Sequence, residues 1–234
     1  MLEERRKQLY EVYKVWEKEL KAACPQLITK KYSHPYYLHI PDNWFVAGHR
    51  ILIVGEEGFG SKQFDLSIEE VQEFNRTYLA EQLGVGKKNN SGFWQRIRRI
   101  AALPDVSVTW TNLDMIHING KKCRLPKLEQ TMLHQTPTAI LSQEIRILEP
   151  DIVVYFGWYR EPLRAEMRDE LAAVFDALYP NGKPDWEPEK IRTIRHEKVC
   201  HIFTYHPGWR RKGKAYEDSV IETIMRSLSE TDSK

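Results

Sequence analysis

Cysteine is scarce in this chain. Cys24, Cys123 and Cys200 are the only three among 234 residues, they lie far apart, and none belongs to a Cys-x-x-Cys pair. That spacing excludes a zinc knuckle, an iron–sulfur cluster and a disulfide framework as readings of the sequence, and a reducing, cytoplasmic setting is expected. Long apolar runs are missing too, so no segment reads as a bilayer span. The charged start, Met1-Leu2-Glu3-Glu4-Arg5-Arg6-Lys7, lacks the apolar stretch of a secretory signal. Net charge is nearly absent: 35 Lys and Arg against 33 Asp and Glu leave +2. Overall charge therefore neither demands nor excludes a polyanionic partner, and local clusters must decide. Three stand out: Lys87 with Lys88; Arg96, Arg98 and Arg99; and Arg210, Arg211, Lys212 and Lys214. Neither an internal repeat nor a low-complexity tract breaks the chain.

What is present is an alternation of strand-like and helix-like segments. Apolar runs at Ile51–Gly55, Val106–Asn112, Ile152–Gly157 and Val199–His206 read as strands. Between them come helical patterns: a capping box at Ser67-Ile68-Glu69-Glu70 opening a helix to about Leu83, then Phe93 to Ala101, Thr136-Pro137 to Leu148, and Glu161-Pro162 through Phe175. Two-sided apolar strands alternating with helices predict an α/β fold, a three-layer α/β/α sandwich around a central, mainly parallel four-stranded sheet. Ile191–Ile194 with Val199–Thr204 also suits a hairpin about His196-Glu197. Residues 1–48 are expected to form an amphipathic helix, with Leu9, Val12, Tyr13, Trp16 and Leu20 on one face, followed by an aromatic, proline-rich wrapping segment. Residues 49–228 make the main domain, and 229–234 a polar tail.

Each strand-like run stops at residues able to do chemistry: Glu56 and Glu57, Asn112, Gly157 with Trp158, and His206. In a parallel sheet those carboxyl ends share one crevice, the usual ligand site of open α/β sheets. Gly55-Glu56-Glu57-Gly58-Phe59-Gly60 lacks the Lys-Ser/Thr of a P-loop and the full dinucleotide fingerprint, and its carboxylates would repel a phosphate. It reads either as a solvated turn or as a general-base pair beside a glycine-lined floor. Asn112 is either a turn former or a carboxamide whose paired donor and acceptor suit the edge of a nucleobase. His206, in Thr204-Tyr205-His206-Pro207-Gly208-Trp209, is a structural histidine or a catalytic one next to a basic run.

Four motifs in order, Gly55-Glu56-Glu57-Gly58-Phe59, Thr111-Asn112, Pro150-Asp151-Ile152-Val153-Val154-Tyr155-Phe156-Gly157 and Tyr205-His206-Pro207-Gly208, resemble those of the uracil-DNA glycosylase superfamily over about residues 45 to 228. The resemblance implies a DNA partner, base flipping and hydrolysis of an N-glycosidic bond, with no metal or organic cofactor, no membrane and no obligate protein partner, by a monomer. It implies that Glu57, aided by Glu56, activates water, that Phe59 shapes the base pocket with Gly55, Gly58 and Trp158, that Asn112 reads the base, and that His206 stabilises the departing base. Trp209 or Arg210 would then hold the duplex open, while Arg211, Lys212, Lys87 and Lys88 meet phosphates. The chain departs from the pattern where Gly58 replaces a proline, Glu57 an aspartate and Gly208 a serine, and it lacks the cysteines of the iron–sulfur branches. These departures point away from plain uracil toward a modified base, such as the hypermodified cytosines of phage DNA, and so toward defence as well as repair. Ordinary uracil repair, a non-catalytic module recognising unusual bases, and a small-molecule nucleotide hydrolase are the alternatives.

Overall fold

A computed structural model describes residues 1–23, 35–57, 66–84, 88–114, 140–157, 169–178, 191–207 and 213–232. In chain order these form α1 (Leu2–Ala23), β1 (His49–Glu57), α2 (Ile68–Leu83), α3 (Gly92–Ala101), β2 (Val106–Asp114), a helix α4 over 140–148, β3 (Ile152–Phe156), α5 (Asp169–Leu178), β4 (Arg192–His196), β5 (Val199–Thr204) and α6 (Lys214–Asp232). The sheet order is β2-β1-β3-β5-β4. All neighbours are parallel except β4, which runs antiparallel to β5. The fold is the expected α/β sandwich, but its sheet has five strands rather than four. The extra strand is the first arm of the hairpin: His196 pairs with Val199 across a turn whose Glu197 takes φ 52°.

Side chains alternate between the two faces of a strand, and the core divides accordingly. Ile51 and Ile53 of β1, Val108 and Trp110 of β2, Ile152, Val154 and Phe156 of β3 and Cys200 and Ile202 of β5 meet α3 and α6 through Trp94, Ile97, Ile100, Val220, Ile224 and Leu228. Leu52, Val54, Val153, Tyr155 and Phe203 face the other way, against Leu9, Tyr13 and Trp16 of α1, Leu141 and Leu148 of α4, and Leu171 and Phe175 of α5. β3 is buried along its whole length, as a central parallel strand covered on both sides must be.

Local chemistry sets the element ends. The Ser67 hydroxyl accepts from the Glu70 backbone N–H while the Glu70 carboxylate accepts from Ser67 N–H at 2.7 Å, so the predicted capping box opens α2. At the amino ends of the strands, the Asp151 carboxylate accepts from Arg50 N–H at 2.8 Å and pairs with the Arg50 guanidinium at 2.9 Å. Its own backbone bonds to Arg50 O and receives Cys200 N–H, so one residue ties β1, β3 and β5 together. α6 continues through Asp232, past the expected start of a tail at Ser229.

The wrapping segment follows the exposed edge of β2. Tyr36 donates its hydroxyl to Trp110 O at 3.2 Å and packs against both core clusters, so it bridges the two faces around that edge. Thr109 Oγ1 donates to His39 O at 2.8 Å, and Ser107 Oγ donates to Asn43 Oδ1 at 2.9 Å. α1 is fastened from the other side: Tyr13 donates to Glu144 and accepts from Leu38 N–H at 3.0 Å, Thr111 Oγ1 lies 3.3 Å from the same carboxylate, and Tyr37 donates to Glu17.

Burial raises the Glu144 carboxyl to about 7, although the hydrogen bonds from Tyr13 and Thr111 pull the other way. With a folded pKa above the unfolded one, the native state holds the proton that the unfolded chain releases. The stabilising contribution is therefore full below about pH 4.5 and is lost as pH climbs toward 7, at no more than about 1.4 kcal/mol per pH unit. Glu144→Gln keeps both acceptor contacts and removes the titration, so denaturant melts between pH 4.5 and 7 are expected to show a flatter stability profile than the wild type. An unchanged slope would mean that Glu144 titrates normally.

Candidate active site at the carboxyl ends of the strands

Strand period and register together make one lateral row. Gly55 pairs with Asn112, and Phe156 pairs with Thr204. Val54 pairs with Tyr155, so Gly55 and Phe156 follow one step further along β1 and β3. Each member of the row is an even number of residues from a side chain packed on α3 and α6: Ile53 for Gly55, Trp110 for Asn112, Val154 for Phe156 and Ile202 for Thr204. All four therefore lie on that face of the sheet, at the ends where its parallel strands finish.

The missing side chain at Gly55 leaves room for its neighbours in this row. A Cβ on Gly55 would stand 2.4 Å from Asn112 Oδ1 and 3.4 Å from Phe93 Cε2. The Asn112 carboxamide and the edge of Phe93 thus approach the Gly55 backbone closely, and Asn112 is only 6% exposed. Phe93 belongs to the first turn of α3, where Ser91 caps the helix by accepting from Trp94 N–H. Its ring meets Phe156 edge-on at 5.7 Å and lies nearly parallel to the imidazole of His206, with centroids 6.4 Å apart and planes 18° apart. Asn112, Gly55 and His206, three residues from distant parts of the sequence, are thereby linked through Phe93.

His206 lies two residues beyond β5 and is half-buried. The backbone leading to it is anchored on three sides. Gly157 N–H donates to Thr204 O at 3.2 Å, Tyr205 N–H donates to the Tyr216 hydroxyl at 3.0 Å, and Arg96 Nη1 donates to Tyr205 O at 2.8 Å. Gly157 takes φ 134° as it closes β3, a conformation that side chains with a Cβ rarely adopt.

Several sequence expectations meet this geometry differently. The first two strands are longer than their apolar runs: Glu56 and Glu57 belong to β1 rather than to a turn after it, and Asn112 stands inside β2 because Glu57 still pairs with Asp114. Gly58, Phe59, Trp158, Trp209, Arg210, Arg211, Lys212 and Lys87 lie outside the described residues. Lys88 is half-buried just before α3. The central basic cluster is not a row of solvent-facing cations. Arg96 is 1% exposed, Arg98 donates to Asn89 O at 3.1 Å, and Arg99 pairs with Asp218 at 2.6 Å.

Phe93 is not among the expected site residues, and Arg96 figures there only as a cation of the central basic cluster. A signal for both was available, since positions 93, 96, 97 and 100 share one face of a helix that begins at a Ser-Gly cap. Among the described residues no three His, Cys, Asp or Glu side chains gather as a metal site, and no helix is long and apolar enough to cross a membrane.

No protein-family model and no curated protein matches this chain. The row holds a carboxamide packed on a glycine, an aromatic ring beside the same glycine, and an imidazole nearly parallel to that ring. Such a set can hold a flat heterocycle by its face, read its edge with an amide donor and acceptor, and place a hydrogen-bond donor or acceptor at its rim.

Gly55→Ala should cost about 1–3 kcal/mol, the usual range for adding a methyl to a filled space. Adding Asn112→Ser, which removes the crowding oxygen, should recover part of that loss. Equal stability of the single and double variants in chemical denaturation would show that Asn112 does not sit over Gly55.

Proposed function

We propose that the protein is a DNA base glycosylase that flips a nucleotide out of the helix and hydrolyses its N-glycosidic bond, leaving an abasic site. The observation that carries this reading is the meeting of Asn112, Gly55, Phe93 and His206 at the carboxyl ends of parallel strands. These residues bring an aromatic ring, a carboxamide and an imidazole together at a glycine backbone. The order of motifs along the chain, from the Gly55 segment to Tyr205-His206-Pro207-Gly208, supports the same reading by resemblance.

The glycosidic bond is out of reach inside a stacked duplex, so extrusion comes first. Phe93 offers its face to the extruded base, a job the sequence alone suggested for Phe59, and the Asn112 carboxamide bonds to the base edge. As the C1′–N bond breaks, its electron pair stays on the base while the sugar gains oxocarbenium character. His206 donates a hydrogen bond to the base oxygen where negative charge grows. Glu57, an even number of residues beyond Gly55 in β1, orients a water and accepts its proton as the hydroxide adds to C1′; the released base takes up a proton in exchange. The substrate is a modified base rather than plain uracil, with hypermodified cytosine a leading candidate. Glu57 and Gly58, in place of a shorter acid and a proline, would give the pocket a different depth.

Duplexes carrying a single uracil, hypoxanthine or modified cytosine, incubated with the protein and then treated with alkali, will break at any abasic site. Strand scission is expected on at least one of them. Under single-turnover conditions His206→Ala should lower the rate by roughly 100- to 1,000-fold, the usual loss for one preorganised hydrogen bond in the transition state. Glu57→Gln should abolish measurable turnover, and Phe93→Ala should weaken binding of the extruded base. DNA binding without scission on every substrate would replace this reading with that of a non-catalytic recognition module.

A further inference from the structure

We infer that Arg96 and Tyr216 together form a positioning clamp for His206, holding the Tyr205 backbone so that the imidazole stays against Phe93. This rests on the proposed part of His206 in departure of the base. In the sequence Arg96 looks like one more cation of a phosphate-binding cluster. In the fold its side chain is 1% exposed, beneath the carboxyl end of β5.

A guanidinium does not lose its charge in a protein, so its burial is heavily penalised unless its donors are matched. Here they are. Nε donates to Glu217 Oε2 at 2.5 Å and Nη2 donates to Glu217 Oε1, a two-pronged pairing with a carboxylate of α6. Nη1 donates to Thr204 Oγ1 at 2.9 Å and to Tyr205 O at 2.8 Å. The cation also lies 5.0 Å from the centre of the Phe156 ring and 6.0 Å from that of Tyr216.

If this position only filled space between α3 and α6, an apolar side chain would serve as well, and often better. An apolar side chain cannot grip the Tyr205 carbonyl. Arg96 does so while Tyr216, from α6, accepts the Tyr205 N–H. Both peptide groups flanking the Tyr205 Cα are therefore held by side chains, and His206 is the next residue. Phe93 lies three positions before Arg96 on the same helix face. One turn of α3 thus fixes the imidazole twice, by its backbone through Arg96 and by its ring through Phe93. Donors act in catalysis only when aimed before the reaction begins, and an error of about 1 Å can cost about a hundredfold in rate.

The test uses the full chain with two separate lesions, Tyr216→Phe, which removes one hydroxyl and keeps the ring, and Arg96→Met combined with Glu217→Met, which removes the ion pair together. Each is expected to lower single-turnover excision by about ten- to a hundredfold with little change in the DNA concentration giving half-maximal rate. Neither should cost anything further on a His206→Ala background, because a residue acting through His206 has nothing left to position. A merely structural role would give the same proportional loss with or without His206, and that result overturns the inference, as does full activity in Tyr216→Phe. Should the Arg96 variant not fold, Tyr216→Phe carries the test.

The His206 imidazole resonances provide a readout that needs no turnover. In the wild type they should be sharp and show contacts to the Phe93 ring, and in the variants they should broaden or lose those contacts. Sharp, unshifted His206 resonances in both variants would dispose of the positioning role even if excision were confirmed. A wild-type protein with an ordered His206 and no excision on any duplex would instead defeat the glycosylase reading and leave the clamp intact.

Discussion

The register of β1 against its two parallel neighbours is the constraint on which the rest of this molecule depends. Because side chains alternate strictly along a strand, a slip of one residue would turn Gly55 to face α1 and bring Val54 beneath Phe93. Asp151 guards against that slip at the amino end by binding both the backbone and the guanidinium of Arg50. The opposite end is then free to carry chemistry, since alignment is already fixed some five residues away. The two ends of β1 divide the work between them: ion pairing and hydrogen bonding at one, and the packing of Asn112 and Phe93 on Gly55 at the other.

The second organising feature is the contrast between the two faces of the sheet at that carboxyl end. Toward α3 and α6 the row Asn112, Gly55, Phe156 and Thr204 leads to an imidazole and a buried guanidinium. Toward α1 the neighbouring residue Thr111 leads to Glu144, whose carboxyl is held mostly neutral below pH 7 by burial. Adjacent residues of one strand thus serve a candidate site and the docking of the N-terminal helix. The two functions share a backbone but no side chain, so the buried acid can titrate without a direct charge contact to Asn112.

Much of the fold was legible in the sequence because it depends on periodicity and on local caps. The four parallel strands, the Ser67 capping box, the stripe Leu9, Tyr13, Trp16 and Leu20, and the α3 stripe of Trp94, Ile97 and Ile100 all have signals within a few residues. What was not legible depended on tertiary pairing. Apolar content marks where a strand is buried, whereas ladder bonds decide where it ends, so β1 and β2 continue through polar residues as far as Glu57 and Asp114. β4, with arginines at 192 and 195, lacks the apolar run of an interior strand and was recognised as half of a hairpin without being counted in the sheet. In the site, Gly55, Asn112 and His206 were legible as residues that end apolar runs. Phe93 and Arg96 were not, since a phenylalanine in a helix reads as core and an arginine as surface until the partners from α6 and β5 are known.

The segment from Tyr36 to Asn43 carries a further implication. By laying a tyrosine hydroxyl on the Trp110 carbonyl and binding Thr109 and Ser107, it occupies the flank of the outermost parallel strand, where a second molecule would otherwise add a strand of its own. The far flank belongs to β4, whose five residues make it a short edge strand, a feature that discourages such pairing. Of the two borders of the sheet, the chain covers the one at β2 with its own wrapping segment, while at the other the β4 arginines are engaged within the chain, Arg192 with Leu178 O and Arg195 with Glu230. The covering of the β2 flank is thus carried by residues that take no part in the site.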